Sequence, residues 1–226
     1  MDKGLRELHV DSVEFSYHYD KKVLSGAYLC LKIGDVVGLL GRNGCGKSTL
    51  MKIIFGTLKA KYAYIRVNGK KVKSAYLTKE VCFLPQESFL PTHYTVRRVI
   101  MLLINDSSSK DKIMGDDIIK PILDHKIAII SGGELRLLEI LLLMEFPASF
   151  VMLDEPFTGL SPIIIERIQQ IIVEKSKTKG ILLSDHDYRH VLDVCNQLYL
   201  LENGGCRKIK NKQDLEMFYV PDHTFD

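Results

Sequence analysis

Apolar and polar residues alternate along two stretches of the chain, from about Leu5 to Lys32 and from Lys59 to Tyr76. Alternation with a period of two is typical of strands that bury one face, and Asn68-Gly69 is a hairpin turn signal. We therefore predict antiparallel strands here. They form the main part of a β subdomain made of residues 1–34 and 59–80.

Short apolar runs without alternation predict a second kind of strand. They occur at 35–40, 83–84, 150–153 and 181–183, and helical spacing follows the first of them. Strands that are buried on both faces have this composition, as in the parallel sheets of α/β proteins. The predicted core comprises residues 35–58, 81–86 and 146–210.

The section between the second and third parts of the predicted core is predicted to be helical. Helices are predicted for Phe89 to Asn105 and Asp116 to His125, joined by a polar loop over 106–110, and a strongly apolar helix should run through Met144. Residues 87–145 would thus form a small helical subdomain, and 211–226 a tail without a chemical signal. The predicted fold is one α/β domain over residues 1–226, with a mostly parallel sheet.

Composition places the chain among ordinary globular proteins, with 46% hydrophobic and 26% charged residues. The most apolar run, Leu137 to Met144, is broken by Glu139 and is too short to span a bilayer, and residues 1–6 lack an apolar signal core. Five cysteines without a CxxC pair suit a reducing compartment. A cytoplasmic protein is expected.

The net charge of +3 gives little reason to expect contact with nucleic acid. Basic residues do concentrate between Lys59 and Lys79, but a solvated strand face explains them more simply. No direct nucleic acid binding is expected.

A glycine-rich loop follows the first buried strand and precedes a helix. The loop has three glycines, the last of which opens the sequence Gly46-Lys47-Ser48, and they allow backbone N–H groups to converge on a phosphate. The dipole of the following helix points at the same place. Lys47 should reach the β- and γ-phosphates, and the Ser48 hydroxyl should ligate Mg²⁺. A turn that merely joins strand to helix is the alternative. The predicted nucleotide contacts here are Gly41, Asn43, Gly44, Cys45, Gly46, Lys47, Ser48 and Thr49.

Polar side chains also end the other buried strands. Asp154 could hold Mg²⁺ through water, and Glu155 could accept a proton from the water that attacks the γ-phosphate. Gln86 and His186 follow two further strands and could reach the same point. Taken singly, each could instead be an ordinary surface residue.

The apolar helix opens with Ser131-Gly132-Gly133-Glu134. Ser131 and Glu134 have the spacing of a capping box, which alone could explain both residues. A capping box does not explain the two glycines, which would let a phosphate approach the backbone closely.

In this order and spacing, the motifs at 41–48, Gln86, 131–134, 154–155 and His186 resemble the Walker A, Q-loop, signature, Walker B and H-switch motifs of the ABC ATPase superfamily. The similarity extends over almost the whole chain. It implies ATP and Mg²⁺ as cofactors, with Glu155, His186, Lys47 and Gln86 as catalytic residues. The magnesium ligands would be Ser48, Gln86 and Asp154, and Tyr17 would stack on adenine.

The resemblance also implies that one copy cannot complete the reaction. Family members close head to tail, so that Ser131, Gly132, Gly133 and Glu134 of one subunit cover the nucleotide of the other. We expect a dimer with itself or with a sister subunit. Glu134 and Ile130 replace the usual Gln and Leu of the family. Ser161 replaces the usual Asp of the D-loop, which removes a carboxylate from the expected dimer seam and leaves open how the two sites communicate.

Two functions fit these motifs. The first is the motor subunit of an ABC transporter, held at the cytoplasmic face of the membrane by a separate integral membrane permease. Phe89, Tyr94, Val96 and Ile100 would then line a groove for a short permease helix. The alternative is a soluble ATP-driven switch, such as in iron–sulfur cluster assembly.

Overall fold

The computed structural model describes residues 6–18, 21–210, 214, 215 and 219 of the 226-residue chain. Residues 1–5 of the predicted β subdomain and most of the predicted tail at 211–226 lie outside this part. In chain order the regular elements are β1 (Glu7–His18), β2 (Lys21–Lys32), β3 (Val36–Leu40), α1 (Lys47–Phe55), β4 (Tyr62–Val67), β5 (Lys70–Val72), β6 (Val81–Leu84), α2 (Val96–Leu103), α3 (Ser107–Met114), α4 (Gly132–Glu145), β7 (Phe150–Asp154), α5 (Pro162–Ser176), β8 (Gly180–Ser184), α6 (Tyr188–Val194), β9 (Gln197–Glu202) and β10 (Gly205–Ile209).

The alternating segments form an antiparallel sheet in the order β2-β1-β4-β5. The β4–β5 hairpin turns at Asn68 and Gly69, whose φ angles of 51° and 77° are those that the Asn-Gly signal favours. One face of this sheet is buried through residues such as Leu8, Val10 and Leu29. The prediction of antiparallel strands is confirmed.

The apolar runs form a second sheet in the order β10-β9-β3-β8-β7-β6. All neighbouring pairs are parallel except β9 and β10. Every residue of β3, β7 and β8 is buried, which is why these strands lack alternation. The predicted α/β fold with a mostly parallel sheet is confirmed.

Each face of the parallel sheet carries its own apolar cluster. On β3, Val37 and Leu39 join the cluster beneath the antiparallel sheet and α1, whereas Val36 and Leu40 join the cluster around the helical segment and α5. Because the sheet is held from both sides, the carboxyl ends of its strands are fixed at one edge. The subdomain boundaries at 34, 58, 80, 86 and 145 stay a prediction.

The helical predictions between residues 87 and 125 were partly wrong. Asp106–Lys110 is not a loop: Asp106 caps α3 by accepting from the Ser109 backbone N–H at 2.7 Å, so the serines form its first turn. Helix α2 starts only at Val96, because the Thr95 side chain caps it. Within Asp116–His125, only Lys120–Ile122 forms a short 3-10 helix.

Among the described residues, no helix is long and apolar enough to cross a membrane. All five cysteines are free thiols, as the absence of a disulfide pattern predicts.

Candidate functional site

The loop between β3 and α1 has a backbone that only glycine adopts easily. Gly41, Gly44 and Gly46 have φ angles of 154°, 77° and 113°. A Cβ on Gly46 would lie 2.9 Å from the Val23 side chain, and one on Gly41 would lie 2.7 Å from the Leu201 carbonyl oxygen. Gly46 is also the N-cap of α1 and offers no side-chain acceptor to its first turn. The amides of that turn are therefore available to an anion.

Lys47 lies across this loop with its side chain nearly buried. Its ammonium donates to the carbonyl oxygens of Gly41 at 2.7 Å and Arg42 at 3.4 Å. The loop thus holds the positively charged Lys47 ammonium against its own backbone.

An open cavity of about 600 Å³ lies beside the loop, which we call the nucleotide groove. Its size lies in the range typical of small-ligand sites. It is lined by Tyr17, Val23, Asn43, Gly44, Gly46, Lys47, Ser48, Thr49, Gln86, Glu155 and His186. Residues from β1, the loop, α1 and the ends of three parallel strands thus meet at one cavity, as the strand-end argument predicts.

Tyr17 borders the groove from the end of β1. Its hydroxyl lies 3.0 Å from the Thr49 hydroxyl, and its ring meets Phe15 edge-on at 4.8 Å. The side chain nevertheless stays 61% exposed, so its ring has a free face. A planar base can stack on such a face.

The predicted magnesium ligands present oxygen atoms. Gln86 Nε2 donates to Ser48 Oγ at 3.3 Å, which brings the amide and the hydroxyl together. Asp154 is buried, and its Oδ1 accepts from Ser184 Oγ at 2.7 Å. Hydroxyl, amide and carboxylate oxygens are the donor types that Mg²⁺ prefers, so this set fits the ion.

Glu155 has a strained backbone, with a φ of 50°. Such a conformation costs on the order of 1–3 kcal/mol for a residue with a Cβ and persists only where the surroundings hold it. The Glu155 N–H donates to the Ser184 carbonyl at 2.9 Å, and Arg136 donates to the Glu155 carbonyl at 3.3 Å. The strained turn after β7 lets the Glu155 side chain line the groove.

His186 follows β8 and lines the same groove. Its Nδ1 is 3.4 Å from Thr158 Oγ1 and 3.6 Å from Asp185 Oδ1. Asp185 is buried and accepts from the backbone N–H groups of Phe157 and Asp187 at 3.2 and 3.0 Å. A fixed carboxylate therefore orients the half-exposed imidazole.

The predicted capping box at the start of α4 is present. Ser131 Oγ accepts from the Glu134 N–H at 3.2 Å, and Glu134 Oε2 accepts from the Ser131 N–H at 2.7 Å. None of residues 131–134 lines the nucleotide groove of its own chain. A Cβ on the exposed Gly132 would have no neighbour within 4 Å, so nothing described in this chain requires glycine there.

Sequence reasoning missed a buried ion pair that joins these elements. Arg136 donates to the carbonyl oxygens of Pro85 at 2.7 Å and Asp154 at 2.6 Å, and it pairs with Glu139 at 3.5 Å. Glu139 in turn accepts from the Phe89 N–H at 3.2 Å. Burial lowers the pKa of the Arg136 guanidinium, and Glu139 opposes that shift. Two charges three residues apart in an apolar helix were the available signal.

Replacing Arg136 by methionine should destabilise the fold by about 3–5 kcal/mol, because Glu139 would stay buried without its partner. Urea unfolding measures this loss. An Arg136→Met/Glu139→Met double variant should regain part of it, and Arg97→Met, in an exposed pair with Asp124, should unfold like the wild type. An Arg136→Met midpoint equal to that of Arg97→Met would contradict the structural role of the pair.

Ser161 occupies the N-cap of α5, with Pro162 at the first helical position. Its side chain makes no capping hydrogen bond, although serine is a residue that often caps a helix through its hydroxyl. The backbone carbonyl of Ser161 instead accepts from Ile164 and Ile165. The hydroxyl is thus free for another contact.

Comparison with known proteins agrees with the motifs. Residues 24–158 match the family model described as "ABC transporter". The chain is 29% identical to the lipopolysaccharide export system ATP-binding protein LptB of Haemophilus influenzae, over 88% of this chain and 91% of that protein. It is 30% identical to an uncharacterized ABC transporter ATP-binding protein of Rhizobium meliloti, over 90% and 82% of the two chains.

A solved structure described as the ATP-binding subunit of an ABC transporter has the same fold. Its TM-score is 0.82 at 23% identity, and the match covers 93% of this chain and 92% of that one. The family match spans more than half of the chain and includes the glycine-rich loop and the two carboxylates at the end of β7, Asp154 and Glu155. The chain belongs to the ABC transporter family, as one of its ATP-binding and ATP-hydrolysing subunits.

Proposed function

We propose that this ATPase works as a head-to-tail pair of identical chains that drives a separate membrane permease. In the pair, Ser131, Gly132 and Gly133 of one chain cover the ATP held by Lys47 of the other. A second copy is sufficient because each chain carries both halves of the composite site.

The bare surface at Gly132 is the observation that carries this proposal. Its environment leaves room for a side chain, and yet the chain has glycine there. Close approach of a ligand from outside the chain gives a reason for glycine, and the N-terminal amides of α4 suit a terminal phosphate. Residues 131–134 do not line the nucleotide groove of their own chain, which supports a phosphate held by another copy.

Within each groove we assign the roles that the contacts described above support. Lys47 exchanges its two carbonyl partners for phosphate oxygens, and Tyr17 stacks on the adenine. Glu155 accepts the proton of the attacking water, and His186, oriented by Asp185, donates to the γ-phosphate. Ser48, Gln86 and Asp154 would hold Mg²⁺, which neutralises developing phosphate charge when bound.

Sedimentation tests the pairing. A Glu155→Gln variant with ATP and Mg²⁺ should sediment as a dimer, because binding closes the pair and slow hydrolysis keeps it closed. The same variant without nucleotide should sediment as a monomer. Only monomer in both samples, at concentrations that saturate the groove with ATP, would refute the proposed pair.

Permease docking is supported by a second cavity, which we call the aromatic cavity. It measures about 570 Å³ and begins beside Pro85, whose carbonyl is held by Arg136. Its aromatic lining residues are Phe55, Tyr76, Phe83, Phe89 and Phe146. An amphipathic permease helix would bury its apolar face there. The relatives are transporter ATP-binding subunits, which favours the motor over the iron–sulfur switch.

The sequence-based choice of groove residues was only partly right. Phe89 lines the aromatic cavity, but Val96 and Ile100 are fully buried in the apolar core and cannot reach a partner. Tyr94 is exposed but lies outside the cavity lining. The apolar spacing of α2 reports its packing inward.

A charge in the aromatic cavity should uncouple the subunit from its permease. Tyr76→Glu should abolish co-purification with a membrane protein in detergent while the ATPase activity of the isolated chain persists. Leu77→Glu is the matched control, because Leu77 is more exposed, at 68% against 45%, but does not line the cavity. Equal loss of co-purification in both variants would argue against docking at this cavity.

A further inference from the structure

Three potential metal ligands meet on the outer face of the antiparallel sheet, away from the motifs discussed so far. His9 on β1 and Cys30 on β2 are cross-strand partners, and Glu7 is two residues before His9 on the same face. The His9 nitrogen, the Cys30 sulfur and a Glu7 carboxylate oxygen all lie within 4.8 Å of one another. We refer to them as the Glu7–His9–Cys30 cluster.

Their spacing is close to that of a filled site. Zinc bonds of about 2.0–2.3 Å place tetrahedral ligand atoms roughly 3.3–3.7 Å apart. Cys30 Sγ already lies 3.6 Å from Glu7 Oε2. Contact with Tyr28, whose ring meets that of His9 edge-on at 5.5 Å, restrains the imidazole. Coordination would require the three ligand atoms, now within 4.8 Å of one another, to move closer together through side-chain rotation.

The Glu7 carboxylate gives an independent reason to expect a ligand. Glu7 is 6% exposed, and the only described hydrogen bond of its side chain is the long one from the Cys30 thiol. Among the described residues its one ion-pair partner is Arg66, at 3.9 Å from Oε1. A buried carboxylate normally has closer donors, since its desolvation must be offset. Its charge is therefore poorly compensated.

Arg66 does not occupy the position between the three ligands. It approaches the other carboxylate oxygen, lies over the Tyr64 ring at 5.7 Å, and leaves its buried Nε without a hydrogen-bond partner. Glu7 Oε2, which faces Cys30, is thus available to a cation, while Oε1 stays paired with the Arg66 guanidinium.

The ligand types select the class of metal. Magnesium and calcium prefer oxygen ligands, whereas a thiolate with an imidazole and a carboxylate suits Zn²⁺ and related borderline ions. Three protein ligands leave a fourth position for water. His9 and Cys30 are both half-buried, so the position remains reachable from solvent.

The cluster is separate from the nucleotide groove. His9 and Tyr17 lie eight residues apart on β1, which corresponds to about 26 Å along a regular strand. None of the three ligands lines the groove.

We propose that Glu7, His9 and Cys30 bind one Zn²⁺ ion, which fastens β1 to β2 on the outer face of the antiparallel sheet. Binding needs no nucleotide, and it raises the thermal stability of the chain because the ion binds only the folded sheet.

Cobalt titration tests this site, since Co²⁺ replaces Zn²⁺ and a thiolate ligand produces a charge-transfer absorption. Metal-free full-length protein without ATP should develop this band with an endpoint of one Co²⁺ per chain, and Zn²⁺ should remove it. Cys30→Ser should abolish the band. Cys206→Ser is the matched control on a neighbouring strand and should retain it.

His9→Ala provides a second variant in case Cys30→Ser folds poorly. It should weaken Co²⁺ binding by at least the ~10- to 100-fold that even an outer-shell change costs, whereas the exposed His93→Ala should not. Wild-type protein with no thiolate band at equimolar Co²⁺ would overturn the proposal. So would a band of undiminished intensity in Cys30→Ser, because the thiolate would then come from another cysteine.

Discussion

A Glu155→Gln variant is expected to hydrolyse ATP about 10²- to 10⁴-fold more slowly than the wild type, with little change in ATP affinity. The size of the loss is that of removing a positioned general base. The amide keeps the shape of the side chain but cannot accept the proton of the attacking water. The strained backbone at residue 155 is held by Ser184 and Arg136, which the substitution leaves in place.

Phosphate release measures the hydrolysis rate, and binding of a fluorescent ATP analogue measures the affinity. Glu166→Gln is the matched control, since Glu166 is exposed on α5 and accepts only a long bond from Gln170. It should hydrolyse ATP at the wild-type rate. Glu155→Gln turnover within threefold of that control would remove Glu155 from the catalytic role.

Gly132→Asp should lower ATP turnover on the order of 10²-fold or more without unfolding the chain. A Cβ at this position would meet nothing within 4 Å among the described residues of its own subunit, so stability should change little. Its carboxylate would instead face the terminal phosphate of the partner's ATP. Like charges brought together at an interface cost several kcal/mol, and about 1.4 kcal/mol corresponds to a factor of ten.

The same variant should still bind ATP, because none of residues 131–134 lines the groove of its own chain. Gly132→Ala is the control for side-chain size and should lose much less activity. Thermal unfolding, ATP binding and turnover, measured together, separate the possible effects. Loss of ATP binding in Gly132→Asp, with the fold intact, would mean that the signature acts within one subunit.

The sheets could be predicted because their patterns have few alternative explanations. Strands buried on both faces need continuous apolar runs, and β3, β7 and β8 have them. The φ angles of Asn68 and Gly69 likewise leave few choices of residue. Local chemistry was therefore sufficient for these elements.

The helical segment was harder because its cues depend on what surrounds it. A polar Asp-Ser-Ser-Ser sequence fits a loop as well as a helix start capped by Asp106, and the burial of Ile113 accompanies the helical choice. Similarly, an apolar residue such as Ile100 can face a partner or the core, and the sequence does not distinguish these. Both errors arose where packing decides.

Strand topology brought Gln86, Glu155 and His186 to one cavity, since parallel strands end at a common edge. The predicted site residues Gly41, Cys45 and Asp154 do not line that cavity. The Arg136–Glu139 pair was missed because its partners are backbone carbonyls and an N–H from loops distant in sequence. Side-chain motifs carry no information about such contacts. Residues 131–134 are the reverse case, in which the motif was visible but the partner that we propose for it lies outside the chain.

Mixing two inactive variants tests the composite site most directly. Lys47→Ala removes the lysine that contacts the ATP phosphates, and Gly132→Asp blocks the signature segment. Each variant by itself should therefore be inactive. In a head-to-tail mixed dimer, one site combines the intact loop of one chain with the intact signature of the other. ATP hydrolysis should therefore reappear when equal amounts are mixed, whereas a mixture as inactive as its components, with mixed dimers verified, would contradict the account.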